Sequence, residues 1–206
     1  MDGIIFDMDG TMWDTSDEVA ASWNKVIRES GYNKVITRDE MQSCMGMLLG
    51  DIVDKLLPMV PEENRDVLRH NMCQAEQEYL CENGGKLYKG LEETLSYLHD
   101  KYKLYIVSNC QDGYIQSFFT AHKLEKYFSD FECAGATGLG KMENILLLAH
   151  RNNLNSYAYV GDTKTDMKAA KEAAAEFVYA RYGFGDVDKD ECDYIIDKIT
   201  DLKKIF

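Results

Sequence analysis

No stretch of this chain approaches the ~20 consecutive apolar residues of a membrane-spanning helix. Basic residues are also in deficit: 23 Lys and Arg stand against 36 Asp and Glu, a net charge of −13. A nucleic-acid partner requires a basic face to displace counterions, so that class of function is excluded, as is a membrane span. The six cysteines (Cys44, Cys73, Cys81, Cys110, Cys133 and Cys192) form no Cys-x-x-Cys pair and show no zinc spacing. A disulfide framework is unusual in a chain of this size, which points to reduced thiols and a cytoplasmic setting. The first residues run directly into a strand pattern, so no signal peptide is expected. The four histidines (His70, His99, His122 and His150) lack the Cys or carboxylate spacing of a metal site. Repeats and low-complexity tracts are absent. What remains is a chain of 206 residues, 45% apolar, enough for one good core and a smaller satellite.

The most informative segment is Ile4-Ile5-Phe6-Asp7-Met8-Asp9-Gly10-Thr11. A buried parallel strand reads like Ile4-Ile5-Phe6, and open α/β sheets bind ligands beyond the carboxyl ends of their strands. Two carboxylates at that place cost stability unless something cationic neutralises them. Asp and Gly are also ordinary turn residues, and an isolated Asp-x-Asp-Gly fits a turn equally well. An EF-hand loop fails on spacing, because Gly10 is out of register and no glutamate closes twelve residues.

Two further apolar strands end in polar clusters. Leu104-Tyr105-Ile106-Val107 runs into Ser108-Asn109, and Tyr157-Ala158-Tyr159-Val160 runs into Gly161-Asp162-Thr163-Lys164-Thr165-Asp166. Between them, a glycine-rich stretch from Gly135 to Gly140 leads to Lys141 at a helix start. In these motifs the chain resembles the haloacid dehalogenase superfamily of phosphohydrolases, in its phosphoglycolate-phosphatase-like branch. Asp7, Asp9, Gly10 and Thr11 match the first family motif, Ser108 the second, Lys141 the third, and Gly161, Asp162 and Asp166 the fourth. The third departs from the usual Lys-Pro-x-Pro, since Met142-Glu143-Asn144 follows Lys141, and its assignment rests on position.

The resemblance implies a Mg²⁺-dependent phosphatase acting on a small phosphorylated metabolite through an aspartyl-phosphate. Asp7 is then the nucleophile and a metal ligand, with Asp162 and the Asp9 carbonyl completing the protein ligands. Asp9 is the acid that protonates the leaving alcohol and the base that activates water. Ser108, with Asn109, donates to the phosphoryl oxygens, Gly10 and Thr11 line the phosphate, and Lys141 neutralises developing charge. A plain turn explains Gly10 as well. A lysine in a helix's first turn opposes the macrodipole by ~0.3–1 kcal/mol, which favours a functional purpose. Asp166 lies three residues after Thr163, so helix capping and orientation of Lys141 both remain open. Cys110, two residues past Ser108, is either a small core filler or an oxidation-sensitive thiol. The local sign of an acidic chain would be reversed by the cation and Lys141.

Between Ser16 and Gly84 the pattern is helical throughout. Val19, Trp23, Val26 and Ile27 share one face, Thr37 and Glu40 have capping-box spacing, and Leu49, Ile52, Val53 and Leu56 form another stripe. Pro61 suits the start of a long helix carrying Leu68, Met72, Ala75 and Tyr79. From Leu87 onward strand and helix alternate. The expected architecture is α/β: a doubly wound, mostly parallel, Rossmann-like core (1–15 and 85–206) with an inserted all-helical cap (16–84). A monomer or weak homodimer is expected.

Asp9 argues against a dehalogenase, which protonates no alcohol. After Met45-Gly46 no lysine occurs until Lys55, unlike phosphonate-cleaving relatives, and the cap loop has no arginine for a second phosphate, unlike the mutases. The group facing the cap is thus expected to be neutral or apolar, although Met47 and Leu48 equally fit plain packing. A phosphosugar mutase, a pyrophosphate hydrolase and a non-catalytic phosphate-binding regulator stay as alternatives.

Overall fold

Alternate residues of each apolar run point to opposite sides of one sheet, and each side is covered by helices. The computed structural model describes Met1–Phe206. The chain runs β1 (Gly3–Phe6), β2 (Trp13–Asp14), α1 (Ser16–Glu29), α2 (Arg38–Gln42), α3 (Leu49–Leu56), α4 (Glu62–Asn83) and β3 (Lys86–Leu87). It continues with α5 (Leu91–His99), β4 (Lys103–Ser108), α6 (Tyr114–His122), β5 (Phe128–Cys133), α7 (Ala134–Thr137) and α8 (Lys141–Arg151). Last come β6 (Tyr157–Gly161), α9 (Lys164–Glu172), β7 (Glu176–Ala180) and β8 (Tyr194–Ile196).

Six strands form a wholly parallel sheet in the order β5-β4-β1-β6-β7-β8. Ile4, Phe6, Leu104, Ile106, Ala158 and Val160 join one buried apolar cluster, together with Leu95 of α5 and Phe118 of α6. Ile5, Tyr105, Val107, Tyr157 and Tyr159 join another, with Ile145 and Leu148 of α8 and Ala169 and Ala170 of α9. This is the doubly wound arrangement, and burial on both faces is why the strands read as unbroken apolar runs.

Because β1 is flanked by β4 on one side and β6 on the other, its carboxyl end lies where the winding reverses, the usual ligand crevice of such sheets. Register fixes what meets there. Phe6 is level with Ile106 and with Val160, and the Asp7 amide donates to the Val160 carbonyl at 2.9 Å. Asp7, Ser108 and Asp162 therefore emerge at one rim of the sheet.

The chain leaves and re-enters this core through a stem, in which β2 and β3 pair antiparallel with Trp13 opposite Leu87. Gly84, at φ +68°, turns the end of α4 into that stem. The four helices from α1 to α4 pack on one another and on the core through α4 and α6. Their buried residues Trp23, Leu68 and Met72 belong to the same apolar cluster as one sheet face. Thr37 and Glu40 do form a capping box. Two features depart from the sequence pattern. The buried stripe of α4 is Leu68, Met72, Glu76 and Leu80, at strict four-residue spacing, while Tyr79 is exposed. The short strand β8 has only one buried residue, Ile196, and so carries almost no apolar signal.

Candidate active site

Asp7 is 2% exposed at the end of β1, with Lys141 Nζ 3.0 Å from its Oδ1. That oxygen nonetheless takes no well-aligned hydrogen bond. Lost solvation, followed by the nearby Asp166 charge, pushes the Asp7 carboxyl up to about 7 despite Lys141. Asp162, at the end of β6, is also held well above the usual carboxylate range by burial and by Asp166 and Asp7. Its Oδ2 accepts the Phe184 amide at 2.7 Å, and its Oδ1 accepts the Thr11 hydroxyl at 3.3 Å. Gly10 adopts φ +80°, and a Cβ there would collide with the Asp162 carboxylate. Glycine is thus required by the approach of Asp162 as well as by the turn.

Asp166 performs both roles left open by its position. Its Oδ2 accepts the Thr163 amide at 2.9 Å and hydroxyl at 2.6 Å, closing a capping box on α9. Its Oδ1 accepts from Lys141 Nζ at 2.5 Å and from the Tyr159 hydroxyl at 3.5 Å. Lys141 is 4% exposed in the first turn of α8. Burial works against its charge, but Asp166 and Asp7 outweigh burial and raise its pKa above the ordinary lysine value.

Carboxylate oxygens of Asp7, Asp162 and Asp166 lie within 4.8 Å of one another. Fully ionised, three carboxylates against one ammonium would carry two excess negative charges, which a divalent cation would match. Asp166 has both oxygens occupied, whereas Asp7 has one without a hydrogen bond and Asp162 accepts one donor per oxygen. The oxygen donors of Asp7 and Asp162 fit a hard ion such as Mg²⁺.

Asp9 is turned away from this cluster. Its Oδ1 accepts from the Thr15 hydroxyl and the Tyr114 hydroxyl, both at 2.8 Å, and those hydroxyls lie 2.8 Å apart. Loss of solvent raises its carboxyl to about 6, against the lowering effect of Thr15 and Tyr114. One rim thus carries two aspartates in different surroundings, one in a cluster of charge and one among neutral hydroxyls.

Ser108 is buried at the end of β4, and its hydroxyl accepts the Cys110 amide at 3.3 Å. Asn109 donates Nδ2 to the Gly46 carbonyl at 2.9 Å, and so bridges the core to the loop before α3, while its Oδ1 is buried without a partner. Burial, then the neighbouring Cys133, raises the Cys110 thiol well above its ordinary value, which disfavours the reactive thiolate.

Asp7, Asp9, Ser108 and Asn109 open into a cavity of about 40 Å³ whose far side is helical. Four residues around the site escaped the motif pattern. Thr15 and Tyr114 hold Asp9, Gln111 comes shortly after the second strand end, and Glu76 reaches in from α4. Glu76 alone carried a signal, as a charged residue four positions from Met72 and four from Leu80 in a buried stripe.

Residues 4–180 match the family model described as haloacid dehalogenase-like hydrolase. Among curated proteins, the chain is similar to the phosphoglycolate phosphatase of Vibrio parahaemolyticus, at 24% identity covering 98% of this chain and 94% of the relative. It is also similar to that of Vibrio vulnificus YJ016, at 27% identity covering 97% and 93%. A phosphoglycolate phosphatase predicted in Haemophilus somnus aligns structurally with a TM-score of 0.87 at 23% identity, covering 100% of this chain and 97% of that one. A haloacid dehalogenase-like hydrolase of Streptococcus pneumoniae aligns with a TM-score of 0.85 at 19% identity, covering 100% and 98%. The structural likeness at these identities speaks for the fold.

Proposed function

The chain belongs to the haloacid dehalogenase-like hydrolase family, and from that premise we propose that it is a phosphatase of small phosphate monoesters, with Mg²⁺ as cofactor and Asp7 as nucleophile. The observation that carries this reading is the contrast between Asp7 and Asp9 on one turn. A nucleophile must be positioned and ionised: Lys141 lies 3.0 Å from Asp7, and the cation that Asp7 and Asp162 fit would hold ionised a carboxyl that burial and the Asp166 charge raise to about 7. A general acid and base must exchange protons near neutral pH, and Asp9, raised to about 6, is tuned for that.

Phosphoryl transfer is chiefly positioning and charge stabilisation. Asp7 attacks phosphorus through the carboxylate oxygen that faces the ester, and the P–O bond to the alcohol breaks. Asp9 gives its proton to the departing oxygen, then takes one from the water that hydrolyses the aspartyl-phosphate. Ser108 donates its hydroxyl to a non-bridging oxygen, and Lys141, oriented by Asp166, lies against the developing charge. When bound by Asp7, Asp162 and the Asp9 carbonyl, Mg²⁺ supplies positive charge that lets a dianion approach an acidic site. The Thr11 hydroxyl donates to Asp162, and the Asn109 amide donates to the Gly46 carbonyl.

The reading extends to the helical segment 16–84 as a cap over the site, supported by the two-strand stem and the Asn109–Gly46 bridge. No helix of the chain is long and apolar enough to cross a membrane. The test is release of phosphate from p-nitrophenyl phosphate by the purified protein with Mg²⁺. Hydrolysis that disappears in excess chelator and returns with Mg²⁺ supports the reading; no hydrolysis of any phosphate ester contradicts it.

A further inference from the structure

The cavity facing Asp7 and Asp9 is lined by apolar side chains of the helical segment, among them Val19, Trp23, Met41 and Ile52, with one charged exception, Glu76. No lysine, arginine or histidine lines it. Lys55, in the helix that follows Met45-Gly46, is spent on the Ser43 carbonyl at 2.9 Å. Glu76 is 3% exposed on the buried stripe of α4. Its Oε2 accepts from Trp23 Nε1 and its Oε1 from Gln111 Nε2, each at 2.7 Å. A carboxylate offers about four acceptor sites, so about two remain. No cation is among the groups acting on it, and burial with only these two donors pushes its carboxyl up to about 8. A buried acid of this kind demands a proton, a hydrogen-bond donor or a positive charge from whatever fills the cavity.

We propose that Glu76 is the specificity-determining residue of this site, accepting a hydrogen bond from an ammonium or hydroxyl group on the leaving alcohol and refusing esters that carry a second anion there. The proposal rests on the phosphatase reading above and names its substrate class: compact amino-alcohol phosphates first, polyol phosphates next, carboxylate-bearing esters last. Phosphoglycolate falls in the refused class. Its carboxylate would be buried in a lining without a cation, beside an acid whose proton only an ammonium would displace. Trp23 and Gln111 fix the carboxyl in place, and Gln111 lies close to Ser108 in the chain, which ties recognition of the alcohol to the phosphate side of the pocket. The cavity of about 40 Å³ admits only a short leaving group with the helices in this position.

The experiment compares kcat/KM for phosphoethanolamine, glycerol 3-phosphate, phosphoglycolate and p-nitrophenyl phosphate, with Mg²⁺, in the wild type and in Glu76→Gln. The wild type is expected to favour phosphoethanolamine over phosphoglycolate by tenfold or more, and Glu76→Gln to shrink that ratio at least tenfold. Trp23→Phe, which removes a donor but keeps the carboxylate, should preserve the order. The wild-type order requires no variant to fold. A wild type that prefers phosphoglycolate overturns the proposal while leaving the phosphatase reading intact. A Glu76→Gln variant that slows all four substrates equally also overturns it, making Glu76 a support for the wall. Failure to hydrolyse even p-nitrophenyl phosphate overturns the phosphatase reading and the proposal with it.

Discussion

The two walls of the pocket handle charge by opposite rules. On the sheet wall, Asp7, Asp162 and Asp166 crowd together, and Lys141 forms ion pairs with Asp7 and Asp166. On the helical wall a lone carboxyl, Glu76, sits among apolar side chains and is answered only by two neutral donors. The first wall concentrates charge where a reaction moves charge, and its excess is what a divalent ion offsets. The second excludes charge almost completely, which lets a single acid discriminate among leaving groups. On the proposed reading, chemistry and selection fall on different elements of the chain.

The contrast breaks most severely at Asp7. Asp7→Asn removes the attacking oxygen and one metal ligand, so turnover should fall by roughly 10⁴-fold or more, measured with p-nitrophenyl phosphate. An Asp7→Asn variant within tenfold of the wild type would place the nucleophile elsewhere. Asp9→Asn should cost ~10²–10⁴-fold on a substrate with a poor leaving group and far less on a nitrophenyl ester, because a phenolate departs without a proton.

Tyr114→Phe probes the same proton transfer more gently. It removes a hydrogen bond that favours ionised Asp9. The Asp9 pKa then rises, and the alkaline limb of kcat/KM for an alkyl phosphate should move up by ~1 pH unit or less. An upward shift of the acid limb, with the alkaline limb unmoved, would mean that Asp9 is needed ionised in the first step.

On the helical wall the effect is on stability. Folding raises the Glu76 carboxyl from 4.5 to about 8, so the native chain keeps a proton that the unfolded chain releases between those values. Stability therefore falls as pH climbs through that window, and Glu76→Gln abolishes the loss. Relative to wild type, the variant should gain on the order of 4 kcal/mol at pH 8 and almost nothing at pH 4.5, read from denaturant unfolding. A pH-independent difference would show that the carboxyl titrates normally. The smallest effect is expected at Met47 in the loop before α3. Met47→Ala should alter relative rates among substrates by a few-fold while phosphoenzyme still forms, since no catalytic candidate lies within 16–84.

The sheet wall was legible in the sequence because parallel strands announce themselves as apolar runs, and the residues just past the end of each run land at the rim. Asp7, Ser108 and Asp162 could be placed together for that reason alone. Asp166 could not be resolved between capping and Lys141, because one carboxylate has two oxygens and uses one for each. The helical wall was far less legible. Tyr114 and Thr15 reach Asp9 through packing of α6 and the stem, which no periodicity encodes. Glu76 interrupts a four-residue apolar spacing, and the sequence pattern aligns its helix instead on Ala75 and Tyr79, one residue off the buried stripe. Gly183 and Phe184, which close on Asp162 after β7, lie in a loop with no apolar pattern.

The division of labour between Asp7 and Asp9 is tested most directly by trapping labelled phosphate on the protein after mixing with a phosphorylated nitrophenol and quenching in acid. The wild type and Asp9→Asn should carry label, and Asp7→Asn should carry none. Equal labelling of Asp7→Asn and the wild type would contradict Asp7 as the nucleophile and the reading of the sheet wall built on it.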